Sequence, residues 1–213
     1  MEYYSAFYWQ QEEADRASLV LKHLVYHEKG MSVILGCICV DESTVDGGMM
    51  GETRANQWTD RLTEWFYEKG LKLCYKASGI SKELEKALNR LLKKTAGGLS
   101  VTGVICVGNA FVLFGQGIQR IGLLNTGFGR AHCKYVEKEG EAYIVVGSMQ
   151  KGVGILLATE SFYLYLSDEE LTECLAVKDL QTAQRVQRHM DELGQEASRQ
   201  GGQQLGALLV VSC

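Results

Sequence analysis

The chain has 213 residues, carries 26 acidic against 22 basic side chains for a net charge of -4, and contains no proline. Apolar residues make up 46% of the chain, which excludes a disordered protein and is enough for a domain with a buried core. A mildly negative charge offers no basic surface to phosphate backbones and so disfavours nucleic acid as a partner. We therefore expect a single globular domain over residues 1–213.

Cysteine usage and the start of the chain predict a cytoplasmic protein. Seven cysteines are scattered without a Cys-x-x-Cys pair: Cys37, Cys39, Cys74, Cys106, Cys133, Cys174 and Cys213. Such scatter favours buried, reduced thiols over a disulfide framework or a zinc site. The start of the chain lacks a cationic stretch followed by an apolar run, so no signal peptide is expected. The apolar stretch 101–124 is interrupted by Gly, Asn, Gln and Arg, which argues against a membrane span and a membrane partner.

The first ninety residues predict three strands followed by two helices. Alternating and β-branched runs predict strands over 3–9, 18–27 and 32–40. After a Gly-rich turn, the spacing of Trp58, Leu62, Trp65 and Phe66 predicts a helix over 53–68. Ser81 is placed to cap a second helix, which has leucines at positions 84, 88, 91 and 92.

The middle of the chain predicts strands, and its end predicts helices and a last strand. Short β-like runs over 100–107, 110–115, 120–124, 133–136, 142–146 and 152–158 resemble an antiparallel meander. Ser167 and Glu170 have the spacing of a capping box, and Val186, Met190 and Leu193 line a later helix. A strand over 205–211 follows. This order predicts an α+β fold in which helices cover sheets.

Several segments occur in a familiar order. The strand "SVILGCICV" runs into "DESTVDGGMMGE", and the hairpin "GGLSVTGVICVGNAFVLFGQGIQRI" precedes "GILLATESFYLYLSDEEL" and "GGQQLGALLVV". Over nearly the whole chain this pattern resembles the metal-dependent PPM-type (type 2C) protein serine/threonine phosphatases. The resemblance implies a four-layer α-β-β-α sandwich with two central antiparallel sheets. It also implies hydrolysis of phosphoprotein monoesters by a water activated between two Mn²⁺ or Mg²⁺ ions.

The acidic positions that this resemblance implies are altered. Ala17 stands where the first acidic ligand is expected, and the family's phosphate-binding arginine has no counterpart among residues 10–14. The second ligand corresponds either to Asp41, directly after the strand, or to Asp46 of an Asp-Gly pair further along. Glu160 replaces the third aspartate within Thr-Glu-Ser, and its extra methylene displaces the carboxylate. The neutral Gln204 replaces the fourth.

These changes predict a catalytically inactive PPM-like domain, a pseudophosphatase that acts as a binding or regulatory module in phospho-signalling. Its expected partner is a protein: a kinase, a phosphoprotein or a second copy of the chain. No residue is assigned a catalytic role. Asp41, Asp46 and Glu160 remain candidates for a residual Mn²⁺ or Mg²⁺ site, and otherwise no cofactor is expected. The alternative is a divergent Mn²⁺- or Mg²⁺-dependent serine/threonine phosphatase that uses these carboxylates.

Overall fold

The computed structural model describes residues 3–10, 18–28, 30–41, 54–77, 79–94, 98–117, 119–125, 132–138, 142–175 and 180–212. The strands are β1 (Tyr3–Gln10), β2 (Ser18–Glu28), β3 (Met31–Asp41), β4 (Leu99–Val107), β5 (Ala110–Gln116), β6 (Gln119–Asn125), β7 (His132–Lys138), β8 (Tyr143–Ser148), β9 (Val153–Ala158) and β10 (Leu205–Ser212). The helices are α1 (Arg54–Trp65), α2 (Leu71–Ala77), α3 (Lys82–Leu92), α4 (Glu160–Leu164), α5 (Asp168–Cys174) and α6 (Ala183–Arg199), with a π-helical turn at Phe66–Gly70. The predicted α+β class is confirmed.

The described elements form two compact units, each built on one five-stranded sheet. Unit I contains α1, α2 and α3 and a sheet in the order β2-β3-β4-β5-β8. Unit II contains α4, α5 and α6 and a sheet in the order β1-β10-β9-β6-β7. Neighbouring strands run antiparallel in each pair for which the register is described. The assignment of the whole chain to one domain stays a prediction.

The meander predicted for the middle of the chain is wrong. Of its six strands, β4, β5 and β8 belong to the sheet of unit I, whereas β6, β7 and β9 belong to the sheet of unit II. The β4–β5 hairpin is present as predicted, but the chain leaves that sheet after Gly117, which has a positive φ of 92°. Alternation along a strand reports which side chains face a core, and it does not report which strand lies alongside.

In unit I the predicted helix faces are buried at their centres. Trp58, Leu62 and Phe66 are at most 4% exposed, whereas Trp65 at the margin of the same face is only partly buried. On α3, the leucines at positions 84, 88 and 92 are at most 1% exposed, and the leucine at position 91 is partly buried. Ser81 caps α3 by accepting a hydrogen bond from the Leu84 N–H at 3.2 Å, as predicted.

The helices of unit I pack on one side of its sheet. Their buried side chains share a core with residues of β3 that alternate along the strand and so point to the same side: Val33, Leu35, Cys37 and Cys39. Burial of apolar surface at about 25 cal/mol per Å² makes this contact the main force that holds the helices on the sheet.

The first helical segment is longer than predicted. The periodicity ends near residue 68, but the helix passes through the π-helical turn Phe66–Gly70 and continues in α2 to Ala77. A π turn inserts one residue and rotates the following face, so a search for a period of 3.6 loses the pattern there. Among the described residues, no helix is long and apolar enough to cross a membrane.

In unit II the helix α6 packs on the two strands β1 and β10. Four side chains on its inner face are at most 4% exposed: Val186, Met190, Leu193 and Ala197. The sequence spacing predicted the first three. They share one core with Leu205, Ala207 and Leu209 of β10, which are fully buried. This core anchors the helix on the edge strand β1 and its neighbour β10.

A buried hydroxyl fixes α4 against the same sheet. The hydroxyl of Tyr163 donates to the Leu156 carbonyl at 2.9 Å and accepts from the Gly122 N–H at 3.1 Å. The hydroxyl therefore has a partner both as a donor and as an acceptor, as a buried polar group requires. The two bonds join α4 to the neighbouring strands β9 and β6.

The prediction of buried, reduced thiols is confirmed for four cysteines, and a fifth is reduced but only partly buried. Cys37, Cys39, Cys74 and Cys106 are fully buried. Burial raises the pKa of the Cys39 and Cys74 thiols to about 12, which keeps them protonated. Cys174, the last residue of α5, is only partly buried. The remaining two, at positions 133 and 213, have no described side chain.

The capping box predicted at the start of α5 is present. The Glu170 carboxylate accepts hydrogen bonds from the backbone N–H and the hydroxyl of Ser167, each at 2.7 Å. These bonds lower the pKa of Glu170. Their contribution to stability is therefore complete above the ordinary glutamate pKa of about 4.3 and is lost as the pH falls through the lower folded value.

We expect Glu170→Ala to destabilise the protein at neutral pH, with a difference that vanishes in acid. Urea unfolding of the wild type and the variant, at neutral pH and again in acid below the folded pKa of Glu170, measures the difference in stability under each condition. The control is Glu173→Ala, an exposed glutamate later in the same helix. An equal loss at both pH values would contradict the prediction.

Candidate functional site

Asp41, the first candidate metal ligand, is buried in an ion pair. It is the last residue of β3 and is 1% exposed. Arg54, the first residue of α1, donates from Nη2 to one carboxylate oxygen of Asp41 at 2.7 Å and from Nε to the other at 3.2 Å. A two-pronged contact of this kind is among the strongest charge-assisted hydrogen bonds in proteins. Both carboxylate oxygens therefore face a guanidinium.

The position of Arg54 explains why it needs Asp41. The N-terminal turn of a helix carries a partial positive charge and favours acidic side chains. The first turn of α1 has no acidic residue and instead begins with an arginine. The Asp41 carboxylate places a negative charge beside this end of the helix, while the Arg54 side chain is 40% exposed and keeps part of its hydration. The ion pair ties the end of β3 to the start of α1.

Glu160, the second described candidate, lies in unit II. It is the first residue of α4, follows the capping position Thr159 and is exposed. The Thr159 hydroxyl donates to the Gln204 carbonyl at 3.1 Å and accepts from the Gly206 N–H at 3.2 Å. The structure therefore brings the third and fourth positions of the sequence pattern next to each other, at the end of β9 and the start of β10.

Gln204, at the fourth position, has an unusual backbone. Its φ of 54° lies in the left-handed region, which residues other than Gly, Asn and Asp rarely adopt. The hydrogen bond from Thr159 to its carbonyl helps to hold it there. The Gln204 side chain is a neutral amide, which provides no negative charge for a dication.

Two sequence positions lie outside the described residues. Asp46, the alternative to Asp41, belongs to the segment 42–53, and Ala17 belongs to the segment 11–17. The choice between Asp41 and Asp46 as the counterpart of the Asp-Gly ligand therefore stays open. Of the two described candidates, Asp41 belongs to unit I and Glu160 to unit II.

The described residues do not fit a two-metal centre. Two adjacent dications need several carboxylates that are free to coordinate. Within the parts of the chain that the structure describes, Asp41 is held by Arg54, Glu160 is a single exposed carboxylate, and Gln204 is uncharged. We therefore derive no catalytic step through metal ions.

The fold matches that of known phosphatases. The sequence matches no protein-family model and no curated protein. Among solved structures, the S. agalactiae serine/threonine phosphatase aligns with 13% identity over 100% of both chains at a TM-score of 0.61. The Mycobacterium tuberculosis serine/threonine phosphatase PstP aligns with 16% identity over 99% of both chains at a TM-score of 0.58.

A second structure of PstP, its catalytic domain with two manganese ions, aligns with 15% identity over 98% of this chain and 96% of that one at a TM-score of 0.55. Identities this low establish the architecture and leave the chemistry open. The chain therefore has the fold of the PPM-type serine/threonine phosphatases, as its sequence pattern predicts.

Arg54 is the site residue that the sequence analysis missed. An arginine at the first position of a predicted helix opposes the helix dipole, and this conflict is a signal for a nearby carboxylate. The partner lies thirteen residues earlier, at the end of a strand, so no local spacing rule identifies it.

Proposed function

We propose that this chain is a non-catalytic domain with the PPM phosphatase fold, which binds a protein partner in phospho-signalling. The observation that carries the proposal is the contact of Arg54 with Asp41. The guanidinium bonds to both oxygens of a carboxylate that is 1% exposed, so a fixed protein cation accompanies one of the acidic positions. A dication there would have to displace Arg54 and lose two charge-assisted hydrogen bonds.

The strand ends of unit II support the same proposal. Thr159 bonds to the backbone of Gln204, which has a left-handed conformation, and the Gln204 side chain at the fourth position is uncharged. An ordered strand end without an acidic side chain is suited to binding rather than to hydrolysis.

Exposed aromatic side chains support a protein as the partner. Phe7 and Trp9 are 46% and 50% exposed and alternate along β1, so they point to the same side of a strand at the edge of its sheet. Large apolar groups that stay in contact with water commonly mark surfaces that bind other proteins. A kinase, a phosphoprotein or a second copy of the chain could each bind this exposed aromatic surface.

A phosphatase assay tests the proposal. We expect the purified protein to hydrolyse p-nitrophenyl phosphate and a phosphothreonine peptide no faster in Mn²⁺ or Mg²⁺ than in a chelator. The matched control is the double variant Asp41→Asn/Glu160→Gln, which should give the same background rate. A metal-dependent rate that this variant loses would contradict the proposal.

The alternative, a divergent Mn²⁺- or Mg²⁺-dependent phosphatase, rests on Glu160. This residue keeps an acidic group, exposed to solvent, at the strand ends where the pattern expects a ligand. If the alternative holds, Mn²⁺ binds the folded protein and so raises the melting temperature of the wild type. The increase should be smaller for Glu160→Gln. No shift in either protein would exclude it.

A further inference from the structure

Three side chains with metal-binding atoms converge between two helices of unit II. Cys174 is the last residue of α5, and His189 and Glu192 lie on α6. The Cys174 Sγ lies 3.4 Å from Nδ1 of His189, which lies 3.3 Å from Oε2 of Glu192. All three ligand atoms are within 4.8 Å of one another. The sulfur, the imidazole nitrogen and the carboxylate oxygen therefore lie around a common point.

Helix packing places these atoms. His189 and Glu192 are three residues apart on α6 and so lie on the same side of the helix. Leu171 of α5, the following Leu175 and Met190 of α6 share a core, and all three are fully buried. Because this core fixes α5 on α6, the thiol meets the imidazole without a loop having to move. The cluster is built on packed helices.

Hydrogen bonds through Nδ1 cannot link all three side chains of this cluster at once. A neutral imidazole has either a proton or a lone pair at Nδ1, so this atom cannot donate to Glu192 and accept from the Cys174 thiol at the same time. The thiol also lies 3.6 Å from the His189 carbonyl oxygen, to which it can donate instead. A cation at the common point would use all three ligand atoms together.

The two separations that involve Nδ1 agree with tetrahedral zinc. Zinc binds thiolate sulfur at about 2.3 Å, imidazole nitrogen at about 2.0–2.1 Å and carboxylate oxygen at about 2.0–2.2 Å, which sets S···N at about 3.5 Å and N···O at about 3.4 Å in a tetrahedron. The corresponding distances here are 3.4 Å and 3.3 Å. We propose that Cys174, His189 and Glu192 form a Zn²⁺ site, with the fourth position open to water or an external ligand.

The surroundings suit a thiophilic ion that enters from solvent. The Glu192 side chain is 55% exposed and can turn toward the ion, away from Arg188 at 3.6 Å. Burial raises the pKa of the Cys174 thiol to about 11, so zinc must expel a proton and binding strengthens as the pH rises. Sulfur and imidazole ligands select Zn²⁺ over Mg²⁺ or Mn²⁺. The site differs in chemistry from a phosphatase-type centre and does not depend on the proposed function.

Cobalt binding tests the site, since Co²⁺ replaces zinc and a cobalt–thiolate bond absorbs in the near ultraviolet. With the full chain in excess Mg²⁺, we expect one equivalent of Co²⁺ to give this band and one equivalent of Zn²⁺ to remove it. Cys174→Ser and His189→Gln should abolish the band. Glu192→Gln should weaken Co²⁺ binding at least about tenfold, because loss of a residue that only orients a metal ligand already has an effect of that size.

The matched control is Glu196→Gln, on the same helix, whose carboxylate pairs with Arg199 at 3.1 Å and should leave the band unchanged. Circular dichroism without metal establishes that each variant folds. Absence of the band in the wild type, or its persistence in folded Cys174→Ser or His189→Gln, would overturn the proposal.

Discussion

Replacing Arg54 by alanine is expected to lower the free energy of unfolding by about 3 kcal/mol, because the buried Asp41 carboxylate loses the guanidinium that binds both of its oxygens. Asp41 is 1% exposed, so water cannot readily replace the two hydrogen bonds that the guanidinium donates. Urea unfolding of wild type and Arg54→Ala measures the difference.

A double variant separates the ion pair from other effects of the substitution. Asp41→Asn/Arg54→Met should regain much of the loss, since neither residue then carries an uncompensated charge. The matched control is Lys22→Ala in the same unit, where Lys22 pairs with Asp60 at 2.9 Å but the side chains are 31% and 49% exposed. An exposed pair contributes under about 1 kcal/mol. A loss at Arg54 no larger than at Lys22 would show that the buried pair does not hold β3 to α1.

Gly103→Ala is expected to destabilise unit I by about 3 kcal/mol through overpacking. Gly103 on β4 lies directly opposite Phe114 on β5, and a Cβ at this glycine would lie 2.2 Å from Cζ of the Phe114 ring. The ring is fully buried and shares the core with α1 and α3, so it cannot move aside without disturbing its neighbours. Thermal or urea unfolding measures the loss.

Two further variants check that the ring is the cause. In a Phe114→Leu background the same Gly103→Ala substitution should cost much less, because no ring covers the glycine. Gly79→Ala is the control, since the nearest atom to its Cβ is the Ala77 carbonyl oxygen at 3.9 Å, and we expect a change within about 0.5 kcal/mol. Equal costs of Gly103→Ala in both backgrounds would contradict this account.

Local patterns were sufficient to predict the strands and the helices α1, α3, α5 and α6, and insufficient to predict α2, α4 and the pairing of the strands. The caps Ser81 and Ser167 act within four residues, so their spacing in sequence predicts their geometry. The pairing of β6 with β9 depends on the whole sheet, and the meander prediction failed there. Recognition of the fold succeeded because the order of strands, glycines and apolar runs stays legible when the ligands change.

The candidate site was predicted in part. The pattern locates Thr159 and Gln204 at the ends of two strands, and the structure shows that they are in contact because those strands pair. The ion pair between Asp41 and Arg54 was not foreseen, since the pattern indicates where a ligand should be and says nothing of a new cation beside it. The Cys174 cluster was missed for a related reason: its ligands come from two helices that only the folded core brings together.

The place of β10 has a consequence for the synthesis of the protein. This strand lies between β1 and β9, so β1 cannot form its strand pair until β10 has been translated, almost two hundred residues later. At roughly 5–20 residues per second, that delay is on the order of 10–40 s. Throughout this time the edge and the aromatic side chains of β1 are open to chaperones and to other nascent chains, whereas the strands of unit I are complete once residue 148 has been made.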